Sequence, residues 1–185
     1  MSNMDTSTIQ SEPFVEDGLL FRKPCIDDVE DLLAVKNDEE AAMLLGGVHH
    51  QYTKEDITKW IDFHNSQDDE AVFVIVDLNS NHVIGHAGIY KIDMRVRKAE
   101  YGILIGAKSA RGKGYGTKIT KAITDYGFKT LGLHKIKVLV LKENLPSLFM
   151  CKKCGFIEEG TLVDENFKNG RYYDVVVMAK FETIA

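Results

Sequence analysis

The sequence predicts a single α+β domain around one mixed, mostly antiparallel β-sheet of about seven strands flanked by about four helices. Its 185 residues are enough for one domain with a sizeable core, since 44% are hydrophobic, 28% are charged and only three are proline. Short β-rich runs alternate with segments whose apolar residues recur every three or four positions. Two polar turns between apolar runs are typical of antiparallel hairpins.

The N-terminal third predicts one strand and two helices behind a flexible tail. Residues 1–17 are polar and slightly acidic, so we expect a flexible tail there and a single folded domain in residues 18–185. The run "LLFRKP" predicts a strand that Pro24 ends. The segment "CIDDVEDLLAVKND" has helical spacing, and a second helix is expected from Thr53, whose first turn is acidic.

The remaining segments predict six strands and two helices. The stretch "AVFVIVDLNSNHVIGHAGIYKID" reads as a hairpin, with "KAEYGILIG" as the next strand. From Tyr115 the period is helical until "LGL", and "KIKVLVL" is a further strand. A short helix follows in "NLPSLFMCKKC", with Pro146 in its first turn. Asn169 and Gly170 then favour a tight turn between "FIEEGTLVDE" and "RYYDVVVMAKF".

Composition argues against several classes of protein. A net charge of −5 gives no overall basic surface for nucleic acid. Because the start lacks a signal peptide and no run approaches the roughly 20 apolar residues of a membrane span, we expect a cytoplasmic protein without a membrane partner. Cys25, Cys151 and Cys154 indicate no disulfide framework, and the single C-x-x-C pair lacks the second pair or histidine cluster of a metal site. The acidic excess between Asp27 and Glu70 fits a solvated helical face or attraction of a cationic substrate.

The stretch "ILIGAKSARGKGYGTKITKAI" places glycines between an apolar strand and a helix. Backbone N–H groups in such a loop, together with the positive end of the following helix, are suited to hold phosphate. The spacing of these glycines differs from that of the P-loop, G-x-x-x-x-G-K-[ST], and from that of the dinucleotide-binding fingerprint, G-x-G-x-x-G. What remains is R-x-x-G-x-G, formed by Arg111, Gly114 and Gly116, with Lys113 adding positive charge.

These residues, together with "ENLPSLFMCKKCGF" and the ending "EEGTLVDENFKNGRYYDVVVM", resemble the GNAT N-acetyltransferase superfamily. The resemblance covers roughly residues 83–180 and is to the branch with ribosomal-protein N-terminal and spermidine acetyltransferases. It implies the GNAT fold, with the sheet splayed between the fourth and fifth strands. It also implies that acetyl-CoA is the co-substrate and that acetyl moves to a primary amine by direct attack in a ternary complex.

The resemblance assigns a cofactor site. The glycine loop would hold the CoA pyrophosphate, and the end of the splayed strand would hold pantetheine, with a backbone N–H steadying the thioester oxygen. An asparagine at the start of the later helix would lie beside the pantetheine arm. The implied cofactor-binding residues are Ile103, Leu104, Ile105, Arg111, Gly112, Lys113, Gly114, Tyr115, Gly116, Thr117 and Asn144.

Acetyl transfer requires a group that takes a proton from the ammonium of the acceptor. Glu100 is the first candidate, because it lies on the splayed strand near where family members often keep a glutamate. The alternative is an ordinary strand carboxylate that faces solvent or pairs with Arg95 or Arg97.

The proton for the departing CoA sulfur is a second requirement. Many family members carry a tyrosine for this purpose, and its position here is Cys151. The Cys151 thiol is a candidate acid or, less typically for the family, a nucleophile, but thiols are weak hydrogen-bond donors. The alternatives are that Cys151 only packs, and that water, Tyr172 or Tyr173 supplies the proton, or that the thiolate leaves without an assigned acid.

Acceptor selection is expected from the first two helices, their loop "LLGGVHHQYT" and the final hairpin, and His86 is a candidate for the substrate side. A polyamine, a protein N-terminus, an aminoglycoside and a nucleotide-linked amino sugar all remain open. A catalytically silent acyl-CoA-binding or sensing module is the alternative function, and a nucleotide-binding domain of another fold is a weaker one. Exposed edge strands favour a homodimer.

Overall fold

The computed structural model describes residues 12–46, 50–106, 110 and 112–183, which form one eight-stranded sheet in the order β1-β2-β3-β4-β5-β6-β8-β7. The strands are β1 (Phe14–Glu16), β2 (Leu19–Arg22), β3 (Ala71–Asp77), β4 (His82–Asp93), β5 (Lys98–Ile105), β6 (Lys135–Leu141), β7 (Ile157–Lys168) and β8 (Arg171–Phe181). The helices are α1 (Val29–Lys36), α2 (Glu39–Leu44), α3 (Lys54–Ser66), α4 (Tyr115–Lys129) and α5 (Leu145–Lys153). The predicted α+β class is confirmed, with one strand and one helix more than expected. No helix within the described residues is long and apolar enough to cross a membrane.

The additional strand is β1, which lies inside the segment expected to be a flexible tail. Phe14 stacks on Phe21 with 4.5 Å between ring centroids, and its ring also contacts Phe73 and Tyr126. Packing of this one aromatic ring holds β1 against β2, so the tail prediction is wrong for this strand. Residues 1–11 lie outside the described part of the chain.

The additional helix is α2, which has only six residues. Asp38 caps it by accepting a hydrogen bond from the N–H of Ala41 at 2.8 Å. A helix this short shows too little periodicity to be read from sequence. The predicted start of α3, in contrast, is confirmed, because Thr53 and Asp56 exchange hydrogen bonds in a capping box.

The core has a helical layer on each face of the sheet. All seven residues of β3 are buried, and they alternate between the two layers. Phe73 and Ile75 belong to the cluster that includes Ile119 and Ile123 of α4. Val74 and Val76 belong to the cluster formed with α1 and α3, which includes Leu32.

The sheet opens between β5 and β6, which are its parallel pair. Residues 98–100 pair with residues 135–137, and the pairing ends there. Beyond that point β5 stays paired with β4 as far as Ile105, while β6 stays paired with β8. The predicted splay between "KAEYGILIG" and "KIKVLVL" is therefore confirmed, and beyond Glu100 no strand of the described sheet pairs with this edge of β5.

Candidate active site

A groove of about 500 Å³ extends from the opening between β5 and β6. It is bounded by the end of β5, by α2 and by the first turns of α4 and α5. The expected cofactor residues that line it are Ile103, Leu104, Ile105, Gly112, Gly114, Tyr115, Gly116, Thr117 and Asn144. Lys113 is exposed and does not line the groove, and Arg111 lies outside the described residues. The structure thus brings nine of the eleven expected residues to one groove.

The N-terminus of α4 faces this groove. Its N-cap is Gly114, which has a φ of +75°, in the left-handed region that favours glycine. Since glycine has no side chain to accept from the first turn, the N–H groups of Tyr115, Gly116 and Thr117 are not capped by it. The positive end of the helix dipole and these donors make the first turn a suitable seat for phosphate.

Close packing holds α4 in place. A Cβ atom added to Gly116 would lie 2.8 Å from the sulfur of Met150 on α5, so the two helices approach each other through this glycine. The hydroxyl of Tyr115 donates a hydrogen bond to Asp77 at the end of β3, at 3.0 Å. Both contacts fix the direction in which the first turn points.

The wall formed by α2 is connected to α5 through Asn144. The side-chain oxygen of Asn144 accepts from the N–H of Ser147 at 3.1 Å and caps α5. Its amide nitrogen donates to the carbonyl of Leu44 at 2.9 Å. Asn144 therefore sets the width of the groove between the two helices.

The same wall is also held by Lys168 at the tip of the β7–β8 hairpin. Its ammonium donates to the carbonyls of Ala42, Met43 and Leu45, and the side chain is only 6% exposed. The final hairpin therefore supports the α2 wall, while its expected part in acceptor selection stays a prediction. This support could not be predicted from the sequence, because the contact spans more than 120 residues.

A second cavity, of about 290 Å³, lies on the other side of the end of β5. It is lined by Lys36, Ala42, Leu45, Gly46, Tyr52, His86, Tyr90, Gly102, Ile103 and Leu104. Leu45, Ile103 and Leu104 line both the cavity and the groove. The two spaces therefore meet at the free end of β5.

Lys36, the last residue of α1, is the one charged side chain among the described residues that line this cavity. Its Nζ lies 3.3 Å from Nε2 of His86, 4.3 Å from the ring centroid of Trp60 and 5.3 Å from that of Tyr52. Burial lowers the pKa of Lys36 to about 8. Burial, Lys36 and His64 together hold the pKa of His86 well below its usual 6.5, so this imidazole is neutral.

His86, the candidate for the substrate side, lines this cavity. Because the Lys36 ammonium can only donate, Nε2 of His86 is the acceptor and Nδ1 carries the proton. Nδ1 is buried and has no hydrogen-bond partner among the described residues. Buried polar atoms without a partner are rare and costly, and they are more often found at functional sites.

Glu100 lines neither space. Its two carboxylate oxygens each lie 3.1 Å from an ammonium, one that of Lys137 and the other that of Lys91. Burial alone would raise the pKa of Glu100, but the hydrogen bonds from these lysines lower it. The expected pairing with Arg95 or Arg97 is wrong. A carboxylate with two cationic partners and a lowered pKa is poorly suited to act as a base.

Cys151 is fully buried and does not line the groove. Burial and the neighbouring Cys154 raise the pKa of its thiol to about 11. Pro146, Ser147 and Met150 are the residues of α5 that line the groove instead. This placement corresponds to the packing alternative for Cys151 and argues against an acid or a nucleophile at that position.

The two tyrosines of the final hairpin also lie away from both spaces. Tyr172 is 62% exposed and packs on Phe167, and the guanidinium of Arg171 lies 4.3 Å from the ring centroid of Tyr173. Neither hydroxyl lies where it can protonate a group in the groove. Within the described residues no cluster of three metal-ligating side chains occurs.

Residues 18–157 match the family model described as an acetyltransferase (GNAT) domain. The chain belongs to this family. The GNAT domain is 40% identical over 112 residues to spermidine N(1)-acetyltransferase of Vibrio cholerae, covering 60% of this chain and 64% of the relative. It is also 40% identical over 86 residues to spermidine N(1)-acetyltransferase of Escherichia coli K12, covering 46% of each. These matches thus span less than two thirds of the relatives' lengths.

Solved structures resemble this GNAT domain over more of its length. The crystal structure of spermidine N-acetyltransferase from Vibrio cholerae in complex with CoA and spermine superimposes with a TM-score of 0.80 at 30% identity. The superposition covers 90% of this chain and 96% of that one. The expected GNAT fold and the expected branch of the family are therefore confirmed.

Proposed function

We propose that this GNAT domain transfers an acetyl group from acetyl-CoA to a primary amine by direct attack in a ternary complex. The proposal rests on one observation: Leu45, Ile103 and Leu104 line both the groove and the cavity. A thioester in the groove and an amine in the cavity would come together at the free end of β5. Family membership and the CoA-bound relative support the assignment of the groove to acetyl-CoA.

The groove suits the shape and charge of acetyl-CoA. Its apolar wall at residues 103–105 fits a pantetheine arm, and the uncapped first turn of α4 fits the pyrophosphate. Bound there, acetyl-CoA supplies an activated acyl group. Backbone N–H groups at the open edge of β5 would then stabilise negative charge on the acyl oxygen.

The cavity favours the reactive form of the amine without a carboxylate base. Desolvation lowers the pKa of an amine bound in the cavity, so the proton passes to water as the amine enters. The nitrogen lone pair forms the C–N bond to the acyl carbon as the C–S bond breaks, and the positively charged nitrogen then gives its extra proton to water, which leaves the neutral amide. A thiol has a reference pKa of about 8.5, so the CoA sulfur leaves as thiolate and takes its proton from water.

Release of CoA thiol from acetyl-CoA across a panel of amines tests this function. The panel contains spermidine, because relatives bear that name, together with N-terminal peptides, aminoglycosides, nucleotide-linked amino sugars and amino acids. We expect release that depends on both substrates and an N-acetylated product by mass spectrometry. Absence of both acetyl-CoA binding and turnover would exclude the transferase.

A catalytically silent acyl-CoA-binding module is the second candidate. It is favoured by one observation, the buried Cys151 at the position of the family's usual tyrosine. Thermal stabilisation by acetyl-CoA without release of CoA for any amine would identify it. Turnover by the wild type would exclude it.

A homodimer is proposed from the edge of the sheet. β7 is a twelve-residue edge strand with exposed apolar side chains, including Ile157 at 59% and Val163 at 75%. Pairing of this edge between two copies would cover them. Light scattering coupled to size exclusion tests for the homodimer.

The cytoplasmic location of the protein stays a prediction.

A further inference from the structure

We propose that the acceptor of this domain carries a carboxylate close to its reactive amine, and that Lys36 binds this carboxylate. The inference rests on the proposed acetyl transfer and narrows its acceptor to anionic amines of the amino-acid type. It separates this chain from the relatives that are named for spermidine, which is a polycation.

The first support is the missing counter-charge at Lys36. Its contacts are the neutral imidazole of His86 and the faces of Trp60 and Tyr52. Within the described part of the chain, no carboxylate lies at ion-pair distance from it, whereas Lys91 and Lys137 nearby both pair with Glu100. Lys36 is thus a half-buried cation without the carboxylate partner that buried charges normally have.

The second support is the cost of this arrangement. At pH 7 a lysine with a pKa of about 8 is protonated about ten to one, so the buried charge is real under ordinary conditions. The neighbouring His86 adds a buried Nδ1 without a partner among the described residues. An apolar residue at position 36 would avoid the cost of the charge, so the cation is best explained by a ligand that supplies the anion.

The third support is the polar character of the cavity lining. Besides Lys36, its side-chain polar groups are the hydroxyls of Tyr52 and Tyr90 and the imidazole of His86. Burial and then Glu70 raise the pKa of Tyr90, so this hydroxyl stays protonated and is able to donate. No aspartate or glutamate is among the described lining residues. Such a lining complements a carboxylate and repels a second ammonium.

The size and position of the cavity agree with this class. A volume of about 290 Å³ is at the small-molecule end of protein binding sites. Lys36 lines the same space as Ile103 and Leu104, where the amine would meet the thioester. A short acceptor with its amine at these residues and its carboxylate at Lys36 would span the cavity. The acidic Glu40, which would attract a polyamine, lines the groove and not the cavity.

Matched pairs of acceptors that differ only by a carboxylate test the proposal. The pairs are ornithine with putrescine, lysine with cadaverine, and tyrosine with tyramine, and spermidine is measured beside them. Each is assayed with wild type, with Lys36→Met and with Lys59→Met, a control that removes an exposed lysine paired with Glu55. We expect at least one carboxylate member to have a kcat/KM more than about tenfold above its decarboxylated partner.

The Lys36→Met variant should remove that preference chiefly by raising KM for the carboxylate member, while Lys59→Met keeps it. The proposal is overturned if spermidine or the decarboxylated members are preferred by the wild type, or if Lys36→Met keeps the preference. Unchanged binding of acetyl-CoA by Lys36→Met shows that the variant is folded with an intact groove.

A measurement that needs no turnover separates failure of this inference from failure of the transferase. In the CoA-saturated wild type, the rate of reductive methylation of Lys36 is followed by mass spectrometry with each pair member present. Protection by carboxylate members alone supports the anion site even if nothing is acetylated. Equal protection by both members, or protection by neither, overturns it even if spermidine is acetylated.

Discussion

Glu100 and Lys137 form an ion pair at the point where the sheet opens, with 3.1 Å between the carboxylate oxygen and Nζ. The two residues are also partners in the last parallel register position of β5 and β6. Lys91 on β4 completes the cluster from the other side of the carboxylate. The cluster therefore connects three adjacent strands at the closed end of the splay, which is a structural role.

Glu100→Gln is expected to leave kcat within about twofold of wild type and to lower the free energy of unfolding by less than about 1 kcal/mol. The loss is small because the two lysine partners are exposed, Lys91 at 71% and Lys137 at 37%, so solvent screens the pairs. Steady-state kinetics and urea unfolding measure the two quantities. A fall in turnover of a hundredfold or more, with acetyl-CoA affinity unchanged, would restore Glu100 as the base.

Gly114→Glu is expected to abolish acetyl-CoA binding, because it places a negative side chain at the first turn of α4. Gly170→Glu is the matched control. Gly170 has a φ of +78°, close to the +75° of Gly114, and a Cβ at either position meets no protein atom within 4 Å. Both variants therefore carry similar backbone strain, about 1–2 kcal/mol, and the same charge. Calorimetric titration should show that Gly170→Glu binds acetyl-CoA and that Gly114→Glu does not. Equal affinities of the two variants for acetyl-CoA would exclude this groove as its binding site.

Cys151→Ala is expected to keep a near-normal kcat and to lose about 1 kcal/mol of stability, because it removes a buried sulfur from the core. Thiol alkylation provides a second readout. Cys25 is exposed and should react first, while burial keeps Cys151 protonated with a pKa of about 11. Loss of turnover in Cys151→Ala, with stability retained, would show that this thiol takes part in the reaction.

Lys168→Met is expected to raise KM for both substrates, because Lys168 positions the α2 wall and Leu45 lines both spaces. Buried carbonyls left without their donor should also cost about 1–3 kcal/mol of stability. Lys168→Arg, which retains donors, should recover part of the KM effect. Lys142→Met, which removes an exposed pair with Asp174, serves as the control. Equal KM values in Lys168→Met and wild type would limit Lys168 to stability.

The sequence predicted those parts of the site that are built from continuous elements. β5, the glycine turn and α4 follow one another along the chain, so their hydrophobic periods and glycines were sufficient to locate most of the groove. Residues 103–105 of β5 line the groove for the same reason, and Asn144 lines it from the start of α5. The contact of these residues with acetyl-CoA stays a prediction.

Features that depend on contacts between distant residues were not predictable in this way. The pairing of Glu100 with Lys91 and Lys137 follows from strand register, whereas the sequence favoured arginines nearer along the chain. The environment of Lys36 requires α3 and β4 to be placed beside the end of α1. In the sequence, Lys36 is only one more residue at helical spacing.

Lys36→Met is expected to stabilise the fold at neutral pH by about 1–2 kcal/mol while it removes the anionic-acceptor site. The sign follows from the pKa, which burial lowers from 10.5 in the unfolded chain to about 8 in the fold. Between these values the unfolded chain binds more protons, so wild-type stability rises with pH through this window. Below about pH 8 the full cost of the buried charge is present.

The gain in free energy of unfolding of Lys36→Met over wild type should therefore be constant below about pH 8. It should shrink as the pH rises toward 10.5. Urea unfolding of both proteins from pH 6 to 10 measures this difference, and Lys59→Met should show no such pH-dependent gain. A saturating carboxylate acceptor should remove much of the difference, because the bound anion supplies the missing partner of Lys36. If Lys36→Met is less stable than wild type at every pH, the lysine is held by favourable contacts of its own, and the need for an anionic ligand disappears.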